Sequence, residues 1–97
     1  AANAAIEALC ESLAVELAPL RINVVSPGII ATPAFDGMPK ADRDATFRSV
    51  GRAVPAGRVG TAEELAAAYL FLATNTYTTG AILEIDGGAK LARKPLW

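Results

Sequence analysis

No apolar run in this chain exceeds the nine residues from Leu65 to Ala73. A helix needs about twenty to span a bilayer, so a membrane-crossing segment is excluded and no membrane partner is expected. Basic charge is equally sparse. Nine Lys and Arg stand against ten Asp and Glu, and the nearest approach to a basic cluster is Lys90, Arg93 and Lys94. With a formal net charge of −1 and no basic face to neutralise phosphates, nucleic acid is excluded as a partner. Cysteine is reduced to Cys10, which cannot close a disulfide within the chain and is expected to lie inert in a helix. No basic stretch followed by an apolar core opens the sequence, so a reducing cytoplasm is the expected compartment. No metal site is expected.

What is present favours a packed structure. Apolar residues make up 53% of the chain and charged residues 20%, which rules out a solvated, disordered segment. At 97 residues the chain has room for one core. Its 21 alanines favour helix and close approach between elements. The opening "AANAAIEAL" is already helical and lacks a Ser, Thr or Asp cap. It reads as a cut through a helix, the other reading being an ordinary start from which the initiator Met was removed.

From Ala4 to Leu17, Ile6, Leu9, Leu13 and Leu17 recur at helical spacing while Glu7, Glu11 and Glu16 fall off the stripe, giving an amphipathic helix that ends by Pro19. "RINVVS", 21 to 26, is short and β-branched and reads as a strand covered on both faces. Pro27-Gly28 then breaks it, since proline lacks the N–H and glycine accepts turn dihedrals. Residues 34 to 54 mix charges with isolated Phe35, Met38, Phe47 and Val50, and one or two short, mobile helices are expected there. Thr61 and Glu64 form a capping box for a helix reaching about Ala73, apolar nearly all round and expected to be buried on more than one side. "AILEID", 81 to 86, reads as a second strand ending at Gly87-Gly88; a hairpin at Asp86-Gly87 is disfavoured because "AKLARKPLW" makes a poor return strand. Two strands separated by helix and more than fifty residues must be joined by a crossover, which makes them parallel neighbours in an α/β layer.

In an open parallel sheet the ligand crevice lies beyond the carboxyl ends of the strands, where Pro27-Gly28 and Gly87-Gly88 fall. Ile29, Ile30 and Thr32 there offer an apolar wall, amide groups and a hydroxyl, which suits an aromatic ring bearing a carboxamide. On spacing alone, a plain chain turn is the stronger reading.

The ordered set "AAIEALCESLAVELAPLRINVVSPGIIATP", "PAGRVGTAEELAAAYLFL" and "TTGAILEIDGG" closely resembles the carboxyl-terminal part of the short-chain dehydrogenase/reductase family, from Asn3 to about Gly88. The resemblance implies the last two strands of a Rossmann-type doubly wound parallel sheet with their flanking helices, all within a single dinucleotide-binding domain. It implies NAD or NADP as cofactor, with Pro27 and Gly28 shaping a loop, Ile30 offering its backbone to the nicotinamide carboxamide and Thr32 its hydroxyl. Residues 34 to 54 then correspond to a substrate lid in which Phe35, Met38 and Phe47 line a pocket or serve as plain core. Asp86-Gly87-Gly88 matches the family's closing motif, a structural element at subunit contacts, and Arg58 is structural too. The implied partners are a small carbonyl or alcohol substrate and further copies of the chain, as a dimer or tetramer.

One departure bears on chemistry. The family's Tyr-x-x-x-Lys pair would place its Lys where this chain has Asn3, and its Tyr two positions before Ala1. An ammonium there lowers the tyrosine pKa, which a neutral amide cannot do. The catalytic Ser and the glycine-rich pyrophosphate turn are also outside this sequence. Three readings follow: an NAD(P)-dependent oxidoreductase represented by its carboxyl-terminal part, a non-catalytic nucleotide-binding relative, or a subunit-assembly module. The 97 residues alone are expected to be inactive.

Overall fold

The computed structural model describes residues 2–92, with side chains from residue 4 onward. Helix α1 spans Ala2–Glu16. It buries Cys10 and Ala14, not the larger stripe: Ile6 and Leu9 are 49% and 58% exposed. Small side chains take this face, which meets the chain just before the two strands: Cys10 at Ile22 and Ala81, Ala14 at Gly80. The Cys10 thiol is 3.5 Å from the Ile22 carbonyl oxygen and 4.0 Å from that of Ala81, a tolerable resting place for a weak donor.

Strand β1, Val24–Pro27, pairs in parallel with β4, Ile82–Ile85, in the register Val24↔Ile82 to Pro27↔Ile85. The crossover expected from the spacing is therefore present. Proline does not end the strand as expected. Val24 and Gly28 donate to the carbonyls of Ala81 and Ile85, each at 2.9 Å, so the even-numbered residues face β4. The N–H that Pro27 lacks belongs to the opposite edge, and its absence leaves this ladder intact.

A second parallel pair, not foreseen from the sequence, joins β2 (Ile30–Ala31) to β3 (Gly60–Thr61). Between them lie a 3₁₀ turn at Pro33–Phe35 and helix α2, Lys40–Ala53, one continuous helix in place of the short pieces expected. Helix α2 buries none of its residues. Helix α3, Ala62–Thr74, begins with the expected capping box: the Glu64 N–H donates to Thr61 Oγ1 at 3.1 Å and the Thr61 N–H to Glu64 Oε1 at 2.9 Å. Contrary to expectation it buries only Ala68 and Leu72, while Tyr69, Leu70 and Phe71 remain largely exposed. The apolar residues are there, but the described chain has only one layer to set against them. After β4 the chain turns into a short helix, α4, Ala89–Ala92, with no hairpin. Among the described residues, no helix is long and apolar enough to cross a membrane.

The entrance to β1 is fixed by two side chains. Helix α3 has no basic residue in its last turn, and Arg21 supplies that charge from elsewhere. Its guanidinium donates to the carbonyls of Leu72 (2.7 Å), Asn75 (3.1 Å), Ala73 (3.2 Å) and Thr78 (3.3 Å), satisfying carbonyls that a helix end leaves unpaired. Asn23 donates to the Thr78 carbonyl at 3.1 Å and accepts from the Ala81 N–H at 3.0 Å, which sets where β4 starts relative to β1. Replacing the guanidinium should therefore loosen helix and sheet together. Arg21→Ala is expected to lower the unfolding free energy by about 2 kcal/mol, measured by urea denaturation of the intact protein, with Arg21→Lys intermediate because a point charge cannot serve four carbonyls.

Candidate functional site

Pro27, Gly28, Ile30 and Thr32 line one cavity of about 240 Å³ at the carboxyl end of β1, together with Ile29, Phe35 and Leu65. The local chemistry of each residue explains its placement. The Ile30 side chain is buried, 6% exposed, and a Cβ on Gly60 would come within 2.7 Å of its Cδ1. Gly60 thus provides the space that Ile30 fills. The Gly60 N–H donates to the Ile29 carbonyl at 3.1 Å. Alternation along a parallel ladder then turns the N–H and C=O of Ile30 itself away from β3. One residue presents a donor and an acceptor side by side on the strand edge that β3 does not use.

Thr32 stands at the N-cap of the 3₁₀ turn with extended backbone (φ −126°, ψ 167°), a position where threonine commonly caps. Here the hydroxyl makes no capping bond. Its carbonyl accepts the Phe35 N–H at 3.0 Å and the Pro33 carbonyl accepts the Asp36 N–H at 3.0 Å, so backbone bonds close the turn. The turn makes no use of the hydroxyl.

The turn dihedrals expected of Gly28 are not what requires glycine here. Its φ is not in the left-handed region, which among the glycines is occupied by Gly57, Gly80, Gly87 and Gly88. A Cβ on Gly28 would lie 2.8 Å from Asp86 Cα and 2.9 Å from Asp86 Cβ. The end of β4 crowds this position, and only a residue without a side chain lets the two strand ends meet.

The aromatic residues of the 34–54 segment divide between two cavities. Phe35 lines the first; Phe47 lines a second of about 310 Å³ with Ala31, Thr32, Pro33, Asp36 and Arg43. Their rings meet edge to face at 5.2 Å, and Arg43 Nη1 lies 3.6 Å from Asp36 Oδ1, so the 3₁₀ turn and α2 are joined twice. Met38 lines neither cavity. Thr32 lines both, and this shared position has no signature in residue spacing. The side chain of Asn3 lies outside the described ones.

Behind the Pro27–Ile29 loop is a larger cavity, about 690 Å³, walled by Val50, Val54 and Ala56 on one side and Ile85–Gly88 on the other. It is the crevice expected at the carboxyl ends of the two strands, lined by Pro27-Gly28 and Gly87-Gly88; its wall of Val50, Val54 and Ala56 was not foreseen. Arg58 and Glu64 also line it and form a two-pronged ion pair at 2.8 and 2.7 Å. The Arg58 guanidinium, then the Thr61 amide and hydroxyl, hold the Glu64 carboxyl down to about 2, and Glu64 in turn raises Arg58. Elsewhere the Lys40 ammonium, 2.6 Å away, lowers Asp44. Glu84 and then Glu7, 3.3 and 3.5 Å from its Nζ, raise Lys90. None of these groups lines the two cavities that Thr32 shares.

A family model described as enoyl-(acyl carrier protein) reductase matches residues 1–90. Among curated proteins the chain is similar to the short-chain dehydrogenase/reductase ATR9 of Stachybotrys chlorohalonatus, 40% identical over 90% of this chain and 34% of that protein. It is also similar to a probable NADP-dependent mannitol dehydrogenase of Yarrowia lipolytica, 44% identical over 91% of this chain and 31% of that protein. Among solved structures, a small-chain dehydrogenase in complex with NADPH superposes with a TM-score of 0.80 at 49% identity, covering 92% of this chain and 41% of that one. The chain spans about a third of the length of the curated relatives it matches.

The Arg58–Glu64 pair has a pH signature. Because the folded-state pKa of Glu64 lies below its ordinary 4.5, the pair's stabilisation is present above 4.5 and is lost as pH falls toward about 2. Glu64→Gln should keep the bond to the Thr61 amide and remove this acid sensitivity. The denaturation midpoints of the two proteins should converge as pH drops through that interval; a gap that stays constant would contradict the assignment.

Proposed function

The chain belongs to the short-chain dehydrogenase/reductase family, and on that footing we propose that it is the carboxyl-terminal portion of one dinucleotide-binding domain in an NAD(P)-dependent oxidoreductase. The reaction is hydride transfer between a nicotinamide and a small carbonyl or alcohol substrate. The observation that carries the reading is the free edge of Ile30 beside an unused Thr32 hydroxyl in one cavity. A primary carboxamide has one acceptor and two donors. The Ile30 N–H meets the acceptor, and the Ile30 carbonyl and Thr32 hydroxyl oxygen take the donors, so the residues present fit the group. Ile29, Leu65 and Phe35 add an apolar wall for a flat ring.

When bound, the dinucleotide supplies or takes up the hydride. The contribution of these residues is orientation. Gripping the carboxamide at three atoms stops the ring from rotating, which is how positioned groups convert binding into rate. Segment 34–54 is the lid over the substrate, with Phe47 and Arg43 facing the second cavity. The bound NADPH of the similar dehydrogenase structure supports the cofactor assignment, with NAD or NADP as the class. The bare faces of α1 and α3 are read as surfaces covered by the rest of the domain and by other copies of the chain, and the lone reduced Cys10 supports a cytoplasmic location.

Asn3 favours a second reading, a relative that binds nucleotide without turnover. A panel of carbonyl substrates offered with NADPH to the full-length protein separates the two, since turnover removes it. For the cofactor site itself, Thr32→Val should weaken NADPH binding about five- to tenfold in a fluorescence titration of the full-length protein, the equivalent of one hydrogen bond. Unchanged affinity would refute the role given to the hydroxyl. The 97 residues alone should show no turnover.

A further inference from the structure

The Asp86-Gly87-Gly88 turn touches two segments that the proposed function treats as separate. On one side it meets the nicotinamide loop, where Gly28 packs on Asp86 and donates to the Ile85 carbonyl at 2.9 Å. On the other it meets the chain leaving α2. The Ala56 N–H donates to the Gly87 carbonyl at 2.9 Å, and a Cβ on Gly88 would lie 2.8, 3.1 and 3.1 Å from three carbons of the Pro55 ring. Helix α2 buries nothing of its own. Its entry is held by the Phe35–Phe47 and Asp36–Arg43 contacts, and its exit leg rests on this turn.

The turn is built to hold its shape. Gly87 and Gly88 have φ of +62° and +86°, conformations that other residues rarely adopt. The Asp86 carboxylate accepts from the Gly88 N–H at 2.9 Å and the Lys90 N–H at 3.2 Å, closing the turn with its own side chain. The 690 Å³ cavity is the space between the loop and the exit leg, and the turn forms its base.

We propose that Asp86-Gly87-Gly88 is a positioning bracket that sets the exit leg of the lid against the nicotinamide loop, so that lid placement and cofactor grip are coupled through it. The proposal rests on the reading of residues 27–32 as the cofactor holder and 34–54 as the lid. It is tested on the full-length protein by hydrogen exchange over residues 40–57 without cofactor, and by NADPH fluorescence titration. Gly88→Ala presses on Pro55; Pro55→Ala removes the ring and leaves the turn untouched, so it serves even where Gly88→Ala does not fold. Gly80→Ala is the control, equally strained at φ +74° but facing only Ala14 Cβ at 3.6 Å.

Gly88→Ala and Pro55→Ala should each speed exchange over 40–57 about tenfold, a local opening of that segment, and weaken NADPH binding several-fold. Gly80→Ala, compared at equal loss of thermal stability, should do neither. Combining the two bracket changes should cost less than their sum, because they act on one contact. Equal effects from Gly88→Ala and Gly80→Ala would overturn the bracket, as would faster exchange with NADPH affinity unchanged. If the unaltered protein fails to bind NADPH, the functional reading and the coupling fall together, and the exchange arm alone decides whether the turn holds the lid.

Discussion

The parallel pairing of Val24–Pro27 with Ile82–Ile85 determines where every other feature lies. It forces the intervening chain to cross over the sheet, and it brings two glycine-containing strand ends to the same edge. At that edge Gly28 and Asp86 are so close that no side chain fits between them. The loop from Pro27 to Thr32 therefore leaves the sheet in a defined direction, and the two-residue pair of β2 with β3 turns the polar atoms of Ile30 outward. A shift of register by one residue would turn the side chains of β1 to the opposite face and remove this alignment. Arg21 and Asn23, at the far end of the strand, oppose such a shift by tying β1 to the end of α3 and to the loop before β4.

Much of this was readable from residue types. β-Branched density marked both strands, and the Thr61–Glu64 spacing marked the start of α3, because these signals are local. The short β2–β3 pair was not readable, since two residues carry no periodicity and their pairing depends on Gly60 making room for the Ile30 side chain. The continuous α2 was masked by Gly37, Pro39 and Gly51, and only the first two lie outside the helix. The buried stripe of α1 was misplaced because the face that meets residues 22 and 80–81 carries Cys10 and Ala14, not the larger leucines. That Pro27, Gly28, Ile30 and Thr32 share one cavity accords with the motif, but the crowding of Gly28 by Asp86 and the Thr32 hydroxyl left out of its turn are tertiary facts.

The distribution of apolar surface fits a part of a larger domain. Among the described residues, only Cys10, Ala14, Ile30, Ala68 and Leu72 are buried hydrophobics, while α1 and α3 expose Ile6, Leu9, Leu70 and Phe71. A pair of two-stranded sheets with so little buried between them and their helices is marginal alone. The same elements suit a sheet whose remaining strands and second helical layer cover those faces, as the relatives' threefold greater length would provide. Site precision would then come from rigid neighbours of the loop.

The central claim is that the backbone edge of Ile30 and the hydroxyl of Thr32 hold the nicotinamide carboxamide. A crystal structure of the full-length protein with NADPH bound tests it most directly. The account predicts the carboxamide within about 3 Å of the Ile30 N–H and C=O and of Thr32 Oγ1. A nicotinamide bound elsewhere, or a Thr32 hydroxyl turned back to cap its own 3₁₀ turn in that complex, would contradict it.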